Sequence, residues 1–213
     1  MVWVLRQDVT PFATVHFDIS PPCADLSPPA DFLPRQGLPY GNYTTAGVEI
    51  DDRYWPQQAR MKSTRSQLPN MVSFCSFRGF SQAWVNAVEA LEPGKHEFRP
   101  VKVFRKDGTP LGENYYAVNL RRVVRDAVDF ERTTAPSKTD GLGSRLKPLR
   151  ECDSGNIFMH AEQIRGLHMW ISREIALGEI TVSDHLFDNL ADRRLLGGVL
   201  SYRVIECPLS VTE

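Results

Sequence analysis

The stretch from Phe80 to Phe104, FSQAWVNAVEALEPGKHEFRPVKVF, leaves the chain few folding options. Ser81 is placed to cap a helix, because its hydroxyl can accept a bond from an orphan amide of the first turn. Trp84, Val85, Val88 and Leu91 recur at helical spacing and lay one apolar stripe along that helix. Pro93-Gly94 ends it, since proline lacks the amide and glycine accepts the turn conformation. Phe98, Val101 and Val103 then mark a strand. A helix, a hard stop and a strand are therefore expected in succession.

The pattern returns between Val182 and Ile205. Phe80 aligns with Val182, Ser81 with Ser183, Trp84 with Leu186, Val85 with Phe187 and Val88 with Leu190. Gly197-Gly198 supplies the second stop, and Val199 to Ile205 the second strand. Two related helix–turn–strand units predict an α+β fold, with a few helices packed on antiparallel sheets. Residues 1–79 supply N-terminal strands and a proline-rich packed segment, and residues 80–213 hold both units. Together they are expected to form one compact domain.

Around these units the reading is coarser. Residues 2–5, 12–17 and 71–77 look like strands, and seven of the fifteen prolines precede residue 40, which forbids long helices there. Lys106-Asp107-Gly108-Thr109 predicts a hairpin turn, with a return strand over 115–124. Residues 133–150 read as a loop. Ile157-Phe158 and Met169-Trp170-Ile171 read as short buried segments, with Trp84 and Trp170 in the core.

The formal net charge of -1 gives no global pull toward nucleic acid or an anionic membrane. No apolar run approaches the roughly 20 residues needed to span a bilayer. The opening MVWVLRQDV lacks the apolar core of a signal peptide, which points to the cytoplasm. Cys23, Cys75, Cys152 and Cys207 lie far apart with no CxxC pair, and reduced structural cysteines are expected. Arg121, Arg122 and Arg125 are offset by Asp126, Asp129 and Glu131, as on a solvated strand edge.

Motifs for chemistry are missing. No HExxH, HxxxH, GxSxG, Walker or dinucleotide-binding sequence occurs. Ser183-Asp184-His185 contains the residue types of a catalytic triad, but neighbours at a helix start cannot form its relay. No catalytic, cofactor-binding or metal-ligating residue is assigned, and no cofactor is expected. A weaker enzymatic reading would use His160 or His168 with an acidic partner. Glu49, Asp51 and Asp52 precede Tyr54-Trp55, with Arg60 and Arg65 following; the stretch reads either as a solvated loop with a partly buried tryptophan or as an acidic, aromatic contact surface for a partner protein. Aromatic and arginine side chains are the usual anchors of protein interfaces, and charge steers their partners.

Val85 to Val103 (VNAVEALEPGKHEFRPVKV), Tyr115 to Asn119 (YYAVN) with Asp129 beyond it, and Ile180 to Leu190 (ITVSDHLFDNL) carry a resemblance. The chain resembles immunity-protein family eleven of bacterial polymorphic toxin systems, across about its C-terminal two-thirds. The first seventy residues match poorly. The resemblance implies an α+β fold and a protein that binds and neutralises a toxin encoded by a neighbouring gene. It brings no cofactor and no catalytic residue; with the near-neutral charge and the lack of a long apolar run, no nucleic-acid or membrane partner is expected, and a homo-oligomer stays open.

Overall fold

Ser81 and Ser183 cap two helices in the same way: their hydroxyls accept the amides of Trp84 and Leu186, at 3.4 and 3.2 Å. The computed structural model describes residues 1–7, 15–21, 47, 49–135, 137–140, 143–146, 156–175 and 179–208. The expected proline-rich packed segment lies mostly outside them. The strands are β1 (Val2–Gln7), β2 (Phe17–Ser20), β3 (Gln58–Met61), β4 (Met71–Phe74), β5 (Phe77–Ser81), β6 (Glu97–Phe104) and β7 (Tyr115–Asn119). They continue with β8 (Val123–Val124), β9 (Ser137–Asp140), β10 (Gly143–Leu146), β11 (Phe158–His160), β12 (Met169–Ser172), β13 (Ile180–Ser183) and β14 (Val199–Cys207). The helices are α1 (Gln82–Leu91), α2 (Ala161–Ile164) and α3 (Asp184–Asp192), with a 3-10 turn at Asp52–Tyr54.

Two six-stranded sheets carry the fold, in the orders β2-β3-β6-β7-β5-β4 and β11-β14-β1-β13-β12-β8; β9 and β10 pair separately. Both large sheets are mixed, which corrects the expectation of antiparallel sheets. β3 runs parallel to β6, β11 to β14 and β8 to β12. Each of these pairs joins strands distant in the chain, as parallel pairing requires, so no local turn signal announces them.

The order β3-β6-β7-β5-β4 recurs as β11-β14-β1-β13-β12 with the same relative directions. Ser81 pairs with Tyr115 as Ser183 does with Val2, and Met71 with Phe80 as Met169 does with Val182. Val101 pairs with Tyr115 as Val204 does with Val2, and Arg60 with Phe104 as His160 does with Cys207. Hydrogen bonds outside the ladders follow suit. The Ser81 amide reaches the Asn70 carbonyl at 2.9 Å, and the Ser183 amide the His168 carbonyl at 3.0 Å. Each unit is a strand, a helix and a strand, with a further strand inserted antiparallel between the two. In one unit that insert is β7, the next strand in sequence. In the other it is β1, brought from the far end of the chain.

The helices α1 and α3 pack against each other and weld the sheets into one core. Trp84, Val85 and Val88 meet Leu186 and Leu190 there, with Leu5, Val118, Met169 and Val182 from the strands. Strand alternation divides the faces: Trp3 and Leu5 join this core, while Val2 and Val4 join a second one with Met159, Trp170 and Val204. A third cluster covers the outer face of the other sheet, from Trp55, Ala59 and Met61 to Phe74 and Tyr115.

Several local expectations need correction. Residues 71–77 are not one strand: Cys75, at φ 57, turns the chain between β4 and β5. Cys75 is exposed at that turn and disulfide-bonded, against the expectation of reduced cysteines, whereas Cys207 is a buried free thiol. The return strand stops at Asn119, and the chain then crosses to the other sheet as β8. The stretch read as a loop contains the β9–β10 hairpin. Helix α3 ends at Asp192, ahead of Gly197, because Arg194 takes a left-handed φ of 58 and the Leu195 amide closes back on the Leu190 carbonyl.

Candidate partner-binding surface

Asp51 organises the exposed turn before β3. One of its carboxylate oxygens accepts the Arg53 amide at 3.0 Å, and the other lies 3.4 Å from Arg53 Nε. Arg53 is thereby laid over Tyr54, 4.9 Å from the ring centroid. Arg99 of β6 reaches the same turn. It pairs with Asp52 at 2.8 Å and with Glu97 at 3.0 Å, and its guanidinium stands 5.7 Å from the Trp55 ring centroid. Glu97 lies 3.5 Å from Arg121 in turn. The outcome is a surface ribbon of alternating charge laid over two aromatic rings.

Glu49, Asp51 and Asp52 are exposed, and Tyr54 is half-buried beside them. Arg53 and Arg99 pair with Asp51 and Asp52 and offset part of the negative charge that the sequence concentrates at this turn. Trp55 does not fit a surface anchor: it is only 3% exposed, packs on Phe77, and donates its indole N–H to the Ile50 carbonyl. Arg60 is exposed on β3, but alternation with Ala59 and Met61 turns it to the face opposite Trp55. Arg65 lies half-buried between β3 and β4. The expected residues thus fall into a compact group, Asp51 to Tyr54, and outliers. Arg99 and Arg121 lie far from the turn in sequence and join it only because β6 pairs with β7.

Two buried polar clusters lie elsewhere. Glu92, the C-cap of α1, accepts the amides of His168 and Met169 at 2.9 and 3.1 Å. His96 Nε2 and Arg122 each approach the same carboxylate to 3.1 Å. Burial opposes ionisation of Glu92, but His96, the His168 amide and Arg122 together outweigh it and hold the carboxyl below its usual range. Every acceptor direction is filled, which makes this a structural joint. His168 spends its Nδ1 on Ser183 Oγ at 2.9 Å. The second cluster joins Asp129, His160 and Cys207, whose ligand atoms lie within 4.8 Å of one another. Thus His160 has an acidic neighbour in Asp129.

A family model described as Immunity protein family (Imm11) matches residues 23–203. The chain belongs to that family. None of the curated proteins is similar to it. In this Imm11 chain the Leu-Glu-Pro-Gly-Lys-His segment is the joint itself: Glu92, held by His96, fastens the first unit to the start of β12 in the second. The segment that carries the family resemblance is therefore architectural. The exposed turn around Tyr54 has no comparable structural duty.

Proposed function

We propose that this Imm11 chain is an immunity protein that binds one cognate secreted toxin and blocks its action without catalysis. Membership of the immunity family supports the reading most directly. The ribbon of Asp51, Arg53, Tyr54, Arg99 and Arg121 is the proposed contact surface, with Glu49 and Asp52 at its margin. Its arginines and tyrosine are residue types that dominate interface energetics. Arg99 projects from β6, and its ion pair with Asp52 ties the 3-10 turn that carries Arg53 and Tyr54 to that strand. Among the described residues no helix is long and apolar enough to cross a membrane.

A cytoplasmic setting, next to the toxin's target, accompanies this proposal. The disulfide at Cys75 pulls the other way, since cytosolic thiols are held reduced. Fractionation of the producing cell decides between them.

The test is co-expression with the product of the neighbouring gene in a sensitive host. Immunity predicts that the neighbour kills alone, and that protection requires about one molecule of this chain per toxin in a complex that co-purifies. A harmless neighbour, or toxicity untouched by this chain, sinks the pairing. Protection at far less than one molecule per toxin would instead favour an enzyme that reverses the damage.

A further inference from the structure

His160 closes β11 and Cys207 closes β14, and the two are direct partners in a parallel pair, so their side chains share a face. Asp129 is brought to them by the Val128–Met159 bridge and by its own amide, which donates to the Phe158 carbonyl at 2.9 Å. We propose that Asp129, His160 and Cys207 form a site for one divalent ion of the zinc class. Carboxylate oxygen, imidazole nitrogen and thiolate sulfur are the mixed donors such an ion takes.

Four observations carry the assignment. Cys207 Sγ and Asp129 Oδ2 stand 3.6 Å apart. A tetrahedral ion bonded at about 2.3 Å to sulfur and about 2.1 Å to oxygen holds those atoms about 3.6 Å apart. Asp129 Oδ1 is occupied by the amides of Glu131 and Arg132, both at 3.0 Å, which orients the carboxylate and leaves Oδ2 beside the sulfur. His160 Nδ1 is buried without a hydrogen-bond partner among the described residues, a costly state for a ring nitrogen that nothing satisfies. Finally, the matching places in the other sheet hold Arg60 and Phe104. The shared backbone therefore demands neither histidine nor cysteine there.

The competing arrangement is a thiol hydrogen bond. Cys207 Sγ also lies 3.4 Å from the Met159 carbonyl, and Arg132 Nε lies 3.5 Å from Asp129 Oδ2. Metal binding releases the thiol proton and displaces Arg132, whose side chain is 43% exposed and has room to turn outward. Three protein ligands leave a fourth position for water or a further donor. The bound ion would pin β11, β14 and the loop at Asp129 together.

The metal-free full-length chain is titrated with Co²⁺ and then with Zn²⁺. One equivalent of Co²⁺ is expected to give a sulfur-to-cobalt charge-transfer band that Zn²⁺ abolishes, and Zn²⁺ should raise the unfolding midpoint. Cys207→Ser should lose the band, and His160→Asn should lose stoichiometric binding while keeping the native far-ultraviolet spectrum. Because Cys207 is buried and its serine variant can misfold, the half-buried His160 provides the second arm. No band in the wild type, or a band that survives either substitution in folded protein, overturns the site. Success or failure here is independent of toxin binding, which is read from protection.

Discussion

The carboxylate of Glu92 receives the backbone amide of His168 at 2.9 Å, so the end of one helix holds the start of a strand in the opposite sheet. Glu92→Ala leaves the two amides, His96 and Arg122 without their common acceptor. Stranding partners around a buried charge costs about 3–5 kcal/mol, which urea unfolding would measure. Glu92→Gln, able to keep only part of the set, should lie between this variant and the wild type.

Acid should act through the same residue. The folded-state pKa of Glu92 lies below its ordinary value of 4.5, so its contribution is complete above that value and disappears as pH falls through the depressed one. Unfolding midpoints followed from pH 6 downward should therefore fall more steeply in the wild type than in Glu92→Gln. Equal slopes would show that the joint does not titrate.

Glu174 should behave in the opposite sense. It is 8% exposed; one oxygen accepts the Asp126 amide at 2.7 Å, and the other has no partner among the described residues. Burial pushes its carboxyl above the usual range, so the folded state prefers it protonated, and stability is lost as pH rises from 4.5 through the raised value. Glu174→Gln is expected to remove that loss and to gain about 1 kcal/mol at neutral pH. Thermal unfolding at two pH values checks it.

Gly79 has no room for a side chain. An added Cβ would lie 2.5 Å from Phe74 Cε2 and 2.7 Å from Val72 Cγ2. Gly79→Ala should cost about 1–3 kcal/mol through overpacking, read as a shift in the urea midpoint. Thr181 occupies the matching place in the other sheet, so the restriction comes from Phe74 and Val72 and is absent from the strand pattern itself.

Arg53→Glu with Tyr54→Ala should weaken toxin binding at least tenfold, as loss of an interface anchor does. Both residues are at least partly exposed, and stability should move by less than about 1 kcal/mol. Binding measured by calorimetry against the neighbouring gene product tests the surface. Unchanged affinity would move the interface elsewhere while leaving immunity intact.

What was legible in the sequence was local. Ser81, Trp84, Val85 and Val88 announce α1 because cap and stripe lie within a few residues of each other. The place of β1 between β13 and β14 has no such signal, since Val2 pairs with Ser183 on one side and Val204 on the other. Tyr54 and Trp55 read alike as neighbours in an irregular stretch, yet the fold leaves one half-exposed and buries the other. The same holds for chemistry. Asp129, His160 and Cys207 have no diagnostic spacing, and only the parallel pairing of β11 with β14 brings them together.

The borrowed strand also imposes an order of events on a chain made from its N-terminus. The sheet built around β5, β6 and β7 can close while synthesis is under way, because domains fold as their parts emerge. Trp3 and Leu5 must wait, since both neighbours of β1, the strands β13 and β14, are translated long after it. Until then β1 presents two unpaired edges, a form that invites pairing with another chain. Ribosome-bound nascent chains should thus hold one sheet formed and the other open, with β1 unprotected until β14 is released.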